Sequence, residues 1–134
     1  MNERVPIINV ATHRAVNDLP FGAPADDLLD MLGTPDEVAE NYTGELEMRY
    51  VDTIYRFFAN RFVECTFPAS HRFVIDGVAV LSVFEWLRAR TDVVDKARFR
   101  ISLAQGMAYD FRNHQQGSLT IFEPGRWDAL VLRD

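Results

Sequence analysis

Cysteine is almost missing from this chain, with Cys65 the sole one among 134 residues. An internal disulfide is therefore excluded, and the usage fits a reducing compartment. Cys65 itself lies in an apolar run and reads as a small buried hydrophobe. Histidine is scarce as well. His13, His71 and His114 stand far apart, with no His-x-x-x-His spacing and no cysteine pair beside them, so the pattern offers no metal site. Basic residues are in deficit, 14 against 20 acidic ones, for a net charge of -6. Affinity for nucleic acid comes mainly from phosphate neutralisation, so that partner class is disfavoured and a basic protein surface fits better. No window approaches the ~20 apolar residues of a membrane span, and Met1-Asn2-Glu3-Arg4-Val5-Pro6 lacks the basic head and apolar core of a signal peptide. The expectation is a cytoplasmic protein without a membrane role.

Phosphate loops and catalytic constellations are lacking too. Gly22, Gly33 and Gly44 are spaced for turns rather than for a phosphate cradle. Glu64, Cys65 and His71 would suit a thiol dyad with an acidic orienter, but strand alternation sends Glu64 and Cys65 to opposite faces. No catalytic residue, cofactor or metal is assigned. What is present is an ordinary globular balance of 48% apolar and 25% charged residues, enough for one domain over residues 1–134 with its own core.

The clearest local signal runs from Phe21 to Glu37. Pro24 suits a first helical turn, and Asp26, Asp27 and Asp30 favour the positive end of the helix dipole. Ala25, Leu28, Leu29 and Leu32 draw one apolar stripe, and Gly33 stops the helix. Phe21 is placed to pack against the helix start. Thr34-Pro35-Asp36-Glu37 has capping-box form and predicts a second helical turn from Pro35. Upstream, residues 5–10 read as an edge strand or extended lead-in because of Pro6, and residues 11–19 carry mixed signals.

Strand patterns follow. Leu46, Met48 and Tyr50 alternate with Glu45, Glu47 and Arg49; Thr53–Phe58 and Phe62–Phe67 form a hairpin; residues 72–80 are a strand interrupted by Asp76-Gly77. Ser82 with Glu85 predicts a second helix, whose apolar side is Val83, Phe84, Trp86 and Leu87. Strands resume at Phe99, Ile101 and Leu103, then in a hairpin of residues 106–111 and 118–122 across Asn113 to Gly117. The tail, residues 126–134, suits a helical turn or a short strand equally. An offset near 55 residues aligns Leu28–Leu32 with Val83–Leu87 and Tyr55-Arg56-Phe57 with Tyr109-Asp110-Phe111. Together these predict an α+β fold: an antiparallel sheet with helices packed on one face, as a tandem helix-plus-strands repeat with units 20–80 and 81–134.

The stretch from Leu19 to Asp36, followed by a tyrosine-rich strand pair, resembles the opening unit of the β-lactamase-inhibitor-protein-like fold. That fold is shared with the SmpA/OmlA lipoproteins and with small bacterial proteins that include immunity proteins for toxins. The resemblance implies binding of another protein through the open sheet face. Against the lipoprotein role, Cys65 lies mid-chain; the secreted inhibitor's disulfides are impossible with one cysteine.

If helices cover one face, charged residues interleaved with aromatics project from the other. Glu45, Glu47, Arg49, Tyr55, Arg56, Tyr109 and Asp110 are the resulting partner-binding candidates, the alternative being an ordinary wetted sheet face. The aspartates Asp26, Asp27 and Asp30 read as an acidic docking patch or as a solvated helix face. The leading functional expectation is a small acidic immunity protein that blocks a cognate basic toxin domain by steric occlusion. The alternative is an envelope-assembly scaffold of SmpA/OmlA type whose signal segment was removed, and an enzyme ranks last. A free sheet edge would also allow a homodimer.

Overall fold

Two tight turns show how local chemistry starts this fold. Ala59 and Asn60 adopt φ of 52° and 59°, and Asp76 and Gly77 adopt 50° and 85°, the left-handed pair that matches the twist of a β-hairpin. The computed structural model describes residues 7–110 and 117–132. In chain order these form β1 (Ile7–Ala11), β2 (Ala15–Val16), β3 (Leu19–Pro20), α1 (Ala25–Leu32), β4 (Glu37–Glu40), β5 (Leu46–Tyr50), β6 (Thr53–Phe58) and β7 (Arg61–Pro68). Then come β8 (Arg72–Ile75), β9 (Val78–Val80), α2 (Val83–Arg88), β10 (Val94–Lys96), β11 (Phe99–Ser102), β12 (Met107–Asp110), β13 (Ser118–Phe122) and α3 (Asp128–Leu132).

The strands divide into two sheets. An eight-stranded antiparallel sheet has the order β10-β11-β12-β13-β7-β6-β5-β4, so two four-strand meanders meet where β7 pairs with β13. A five-stranded mixed sheet, β3-β2-β1-β8-β9, contains the parallel pair β1 and β8. The core lies between them. Ile8, Val10, Val16, Phe73 and Ile75 of the smaller sheet share one cluster with Tyr55, Phe57, Cys65, Phe67, Leu119 and Ile121 of the larger. Leu28 of α1 and Leu87 of α2 close its ends. A bulge puts an extra residue, Val63, between the register pairs Phe57–Phe62 and Arg56–Glu64. Phe62 and Cys65 consequently face the same core although three residues apart, while Glu64 turns to the far side of the large sheet.

This architecture corrects the expected fold class. Among the described residues 46% are strand and 16% helix, and the layer over the large sheet is a second sheet with two short helices at its margins, not a helical layer. The local pattern missed this because β1 pairs with β8, distant in sequence, and lies inside its sheet rather than at an edge. Residues 7–20 and 72–80 belong to that second sheet, which no repeat of helix plus strands accounts for. Nor is the far face fully open. Trp127 and Val131, from α3 and the residue before it, pack on Ile101, Ala108 and Phe122.

Two further expectations change. Residues 35–37 do not start a helical turn, because Glu37–Glu40 pairs with β5 and the Asp36 carboxylate accepts the Val51 N–H at 2.7 Å. The α1 stripe is only partly used: Leu28 is buried, whereas Leu29, Met31 and Leu32 are 38–47% exposed, so the C-terminal half of α1 overhangs the core. Gly33 ends α1 at φ 82°, its N–H donating to the Leu29 carbonyl. Ser82 caps α2 by accepting the Glu85 N–H at 3.4 Å. The hairpin turn expected at Asn113 to Gly117 lies, but for Gly117, outside the described residues. No helix among the described residues is long and apolar enough to cross a membrane.

Phe62 stacks on Phe21 at 5.0 Å, and its N–H and carbonyl bond to the Ala23 carbonyl and the Gly22 N–H. Phe62→Ala should therefore lower stability by about 3–5 kcal/mol in urea denaturation, whereas Leu29→Ala should change it by about 0.5 kcal/mol or less.

Candidate functional site

Single charges inserted into apolar strands build the most connected side-chain cluster on the far face of the large sheet. The register sets Glu47, Arg56 and Glu64 side by side on β5, β6 and β7, an acid-base-acid row of the kind that stabilises neighbouring strands. Arg56 Nε donates to Glu47 at 2.9 Å, and its Nη1 donates to Glu64 at 2.7 Å and to Thr66 Oγ1 at 2.9 Å. The residues just before α3 complete the row. Arg126 donates to Glu64 at 2.7 Å and pairs with Glu45 at 2.7 Å, while Trp127 Nε1 donates to Glu64 at 3.0 Å. Glu64 is 6% exposed, yet both its oxygens are bonded, which is the condition for burying a carboxylate without large cost.

Electrostatics follow from that geometry. For Glu47, burial alone raises the pKa, but the hydrogen bond and charge of Arg56, aided by Asn41 and Arg49, outweigh it, and the carboxyl sits below its usual range. Burial would weaken the Arg126 guanidinium, but the hydrogen bonds and charges of Glu64 and Glu45 more than compensate and its pKa is raised.

Of the seven residues expected to bind a partner, the structure brings Glu45, Glu47 and Arg56 into this one network. There they neutralise each other instead of presenting free charge. Arg49 lies beside them at the exposed edge, 3.3 Å from Glu37. Tyr55 must be corrected: it is 5% exposed and points into the core, edge-on to Phe67, so it is no exposed anchor. Burial, then the charge of Cys65, pushes its hydroxyl pKa up. The reason is alternation, since Arg56 faces outward only if Tyr55 and Phe57 face inward. Tyr109 and Asp110 sit at the opposite end of the sheet, Tyr109 edge-on to Phe84 at 5.2 Å and Asp110 3.1 Å from Arg98. Sequence reasoning missed Arg126, Trp127 and the Thr66–Thr120 contact at 2.8 Å. The legible signal was a lone charge inside each apolar run, Tyr55-Arg56-Phe57 and Val63-Glu64-Cys65.

A different surface carries unpaired charge. Asp26, Asp27 and Asp30 on α1, with Asp18 beside them, make no ion pair among the described residues. They flank the overhanging Leu29, Met31 and Leu32. Cys65 is fully buried and burial drives its thiol pKa well up, so it is held as a thiol. Among the described residues no group of three or more His, Cys, Asp or Glu side chains could hold a metal ion. His114 lies outside the described residues.

Glu64→Ala would remove the acceptor of Trp127 Nε1 and the acceptor that Arg56 and Arg126 share, leaving the two arginines to Glu47, Thr66 and Glu45, and should cost about 3 kcal/mol, with a shift of Trp127 fluorescence. A depressed carboxyl stabilises the fold fully above its unfolded pKa and loses that contribution as pH falls through the folded value. Stability should therefore decline as pH falls below about 4.5, the ordinary value for Glu47, and Glu47→Gln should flatten that decline in urea titrations at stepped pH.

Compared with known proteins, the chain matches no family model, no curated protein and no solved structure.

Proposed function

We propose that the protein is a cytoplasmic binding domain that neutralises a basic partner protein by steric occlusion, in the manner of an immunity protein acting on a toxin domain. The observation that carries this reading is the α1 overhang. Four aspartates without ion pairs among the described residues border three partly exposed apolar side chains, a mixture of steering charge and buriable area. Long-range attraction from such carboxylates speeds encounter with a basic surface, and apolar contact then slows release. The net charge of -6 points the same way.

The ion network supports the reading indirectly. It holds β5, β6 and β7 in register, and a rigid support lowers the ordering cost of binding. Occlusion calls for no reacting group on this chain, which is in keeping with a thiol buried in the core.

The test uses basic proteins encoded beside this gene as partners in surface plasmon resonance. The variant carrying Asp26→Lys, Asp27→Lys and Asp30→Lys should associate about tenfold or more slowly at low salt, with a much smaller difference at high salt. Leu29→Ser with Met31→Ser should act mainly on dissociation. Circular dichroism checks that α1 is retained. Binding unchanged by charge reversal, or no binding to any such protein, would sink the proposal.

A further inference from the structure

Unused backbone hydrogen bonds collect at the outer strands of a sheet, and among the described residues the ends of these two sheets differ. β3 is two residues long and contains Pro20, β9 carries no charge, and β10 carries Asp95 and Lys96, which cancel. β4 has four residues, every one exposed, and its charge is of one sign, from Glu37 and Glu40. Its backbone phase follows from the turn that joins it to β5. The Asn41 N–H donates to the Glu45 carbonyl at 2.9 Å, and hydrogen-bonded pairs alternate along an antiparallel ladder. Ala39 and Glu37 therefore bond to Glu47 and Arg49 of β5, while the N–H and C=O groups of Val38 and Glu40 point away from the sheet and meet no partner among the described residues. Val38 and Glu40 share the side of Met48 and Leu46, and Glu37 lies on the other. Arg49 holds Glu37 at 3.3 Å, but Glu40 has no ion pair among the described residues.

We infer that β4 takes up an extended basic segment of a partner protein as an added antiparallel strand, with main-chain bonds to Val38 and Glu40 supplying affinity and side chains supplying selectivity. Antiparallel addition continues the pattern of the whole large sheet. Charge complementarity names the occupant. A strand running against β4 meets Glu40 first and Glu37 three positions later, with Val38 between them and 55% exposed, so the matching order is Lys-Xaa-Val-Lys. A second copy of this chain would set Glu40 opposite or diagonal to a carboxylate of that copy with no base to meet it, and like charges so placed are destabilising. An uncharged strand would gain the same main-chain bonds but would desolvate Glu40 without a partner. The inference does not rest on the α1 reading, since it needs neither the overhang nor a folded partner surface.

The probe is a blocked threonine-rich peptide with Lys-Thr-Val-Lys at its centre, titrated into the full chain by isothermal titration calorimetry and followed by NMR and amide hydrogen exchange. The Val38 and Glu40 amides should shift and should exchange about tenfold or more slowly with peptide bound. A peptide with both lysines replaced by glutamate should bind about tenfold or more weakly, as should one N-methylated at the central valine, which cannot donate to Val38. Glu40→Lys should remove most of the preference for the lysine peptide. Val38→Pro deletes an outward N–H and spares the ladder to β5, so it should keep the fold and lose the peptide; unfolding curves verify that both variants are native. The inference is overturned if the N-methylated peptide binds equally well, if Glu40→Lys leaves the preference unaltered, or if millimolar peptide moves neither amide. Protection of these two amides that grows with the concentration of the protein alone would make a second copy the occupant and overturn it too. Charge reversal on α1 touches none of these groups, so the two proposals stand or fall separately.

Discussion

The antiparallel pairing of β7 with β13 is the constraint on which the rest of the molecule depends, because it joins two meanders into one eight-stranded sheet. Both edges of β7 are paired, with β13 and β6, and its two faces have different chemistries. Phe62, Cys65 and Phe67 enter the apolar core, while Glu64 and Thr66 reach the other side, where Thr66 meets Thr120 at 2.8 Å. The bulge at Val63 makes this division possible, since strict alternation would have sent Phe62 to the side of Glu64. Without that rephasing, either a phenylalanine would lie among ion pairs or a carboxylate would lie in the core. Both arrangements are costly.

From this division follows a separation of paired from unpaired charge. Charges at the sheet centre are paired across strands and largely buried, so their fields close on one another. Charges on the overhanging α1 have no such partners among the described residues, and their field extends outward.

Several features could be read from local sequence because their causes are local. Gly33 and Ser82 delimit helices through backbone freedom and side-chain capping, and Asp76-Gly77 turns a hairpin by its left-handed preference. The alternation of Leu46, Met48 and Tyr50 marks β5. Other features could not be read because they depend on distant pairing. β1 is sheltered by β8 and β2, which makes Pro6 irrelevant as an edge signal. Glu37–Glu40 is a strand because β5 offers it a ladder, and that outweighs the capping-box pattern at Thr34. Tyr55 and Arg56 are adjacent in sequence, and only the register says which of them meets solvent.

By itself, the sequence determined the turn at Asp76-Gly77, the stop of α1 at Gly33 and the start of α2 at Ser82, that no internal disulfide can form, and that negative charge is in excess. These depend on one residue type or on neighbours within a few positions. Tertiary structure alone decided that a second sheet covers the first, that Arg126 and Trp127 close the Glu64 network, and that α1 extends past the core. Each depends on pairing or packing between segments remote in the chain, where many arrangements satisfy the same local preferences and the burial of shared apolar surface selects one.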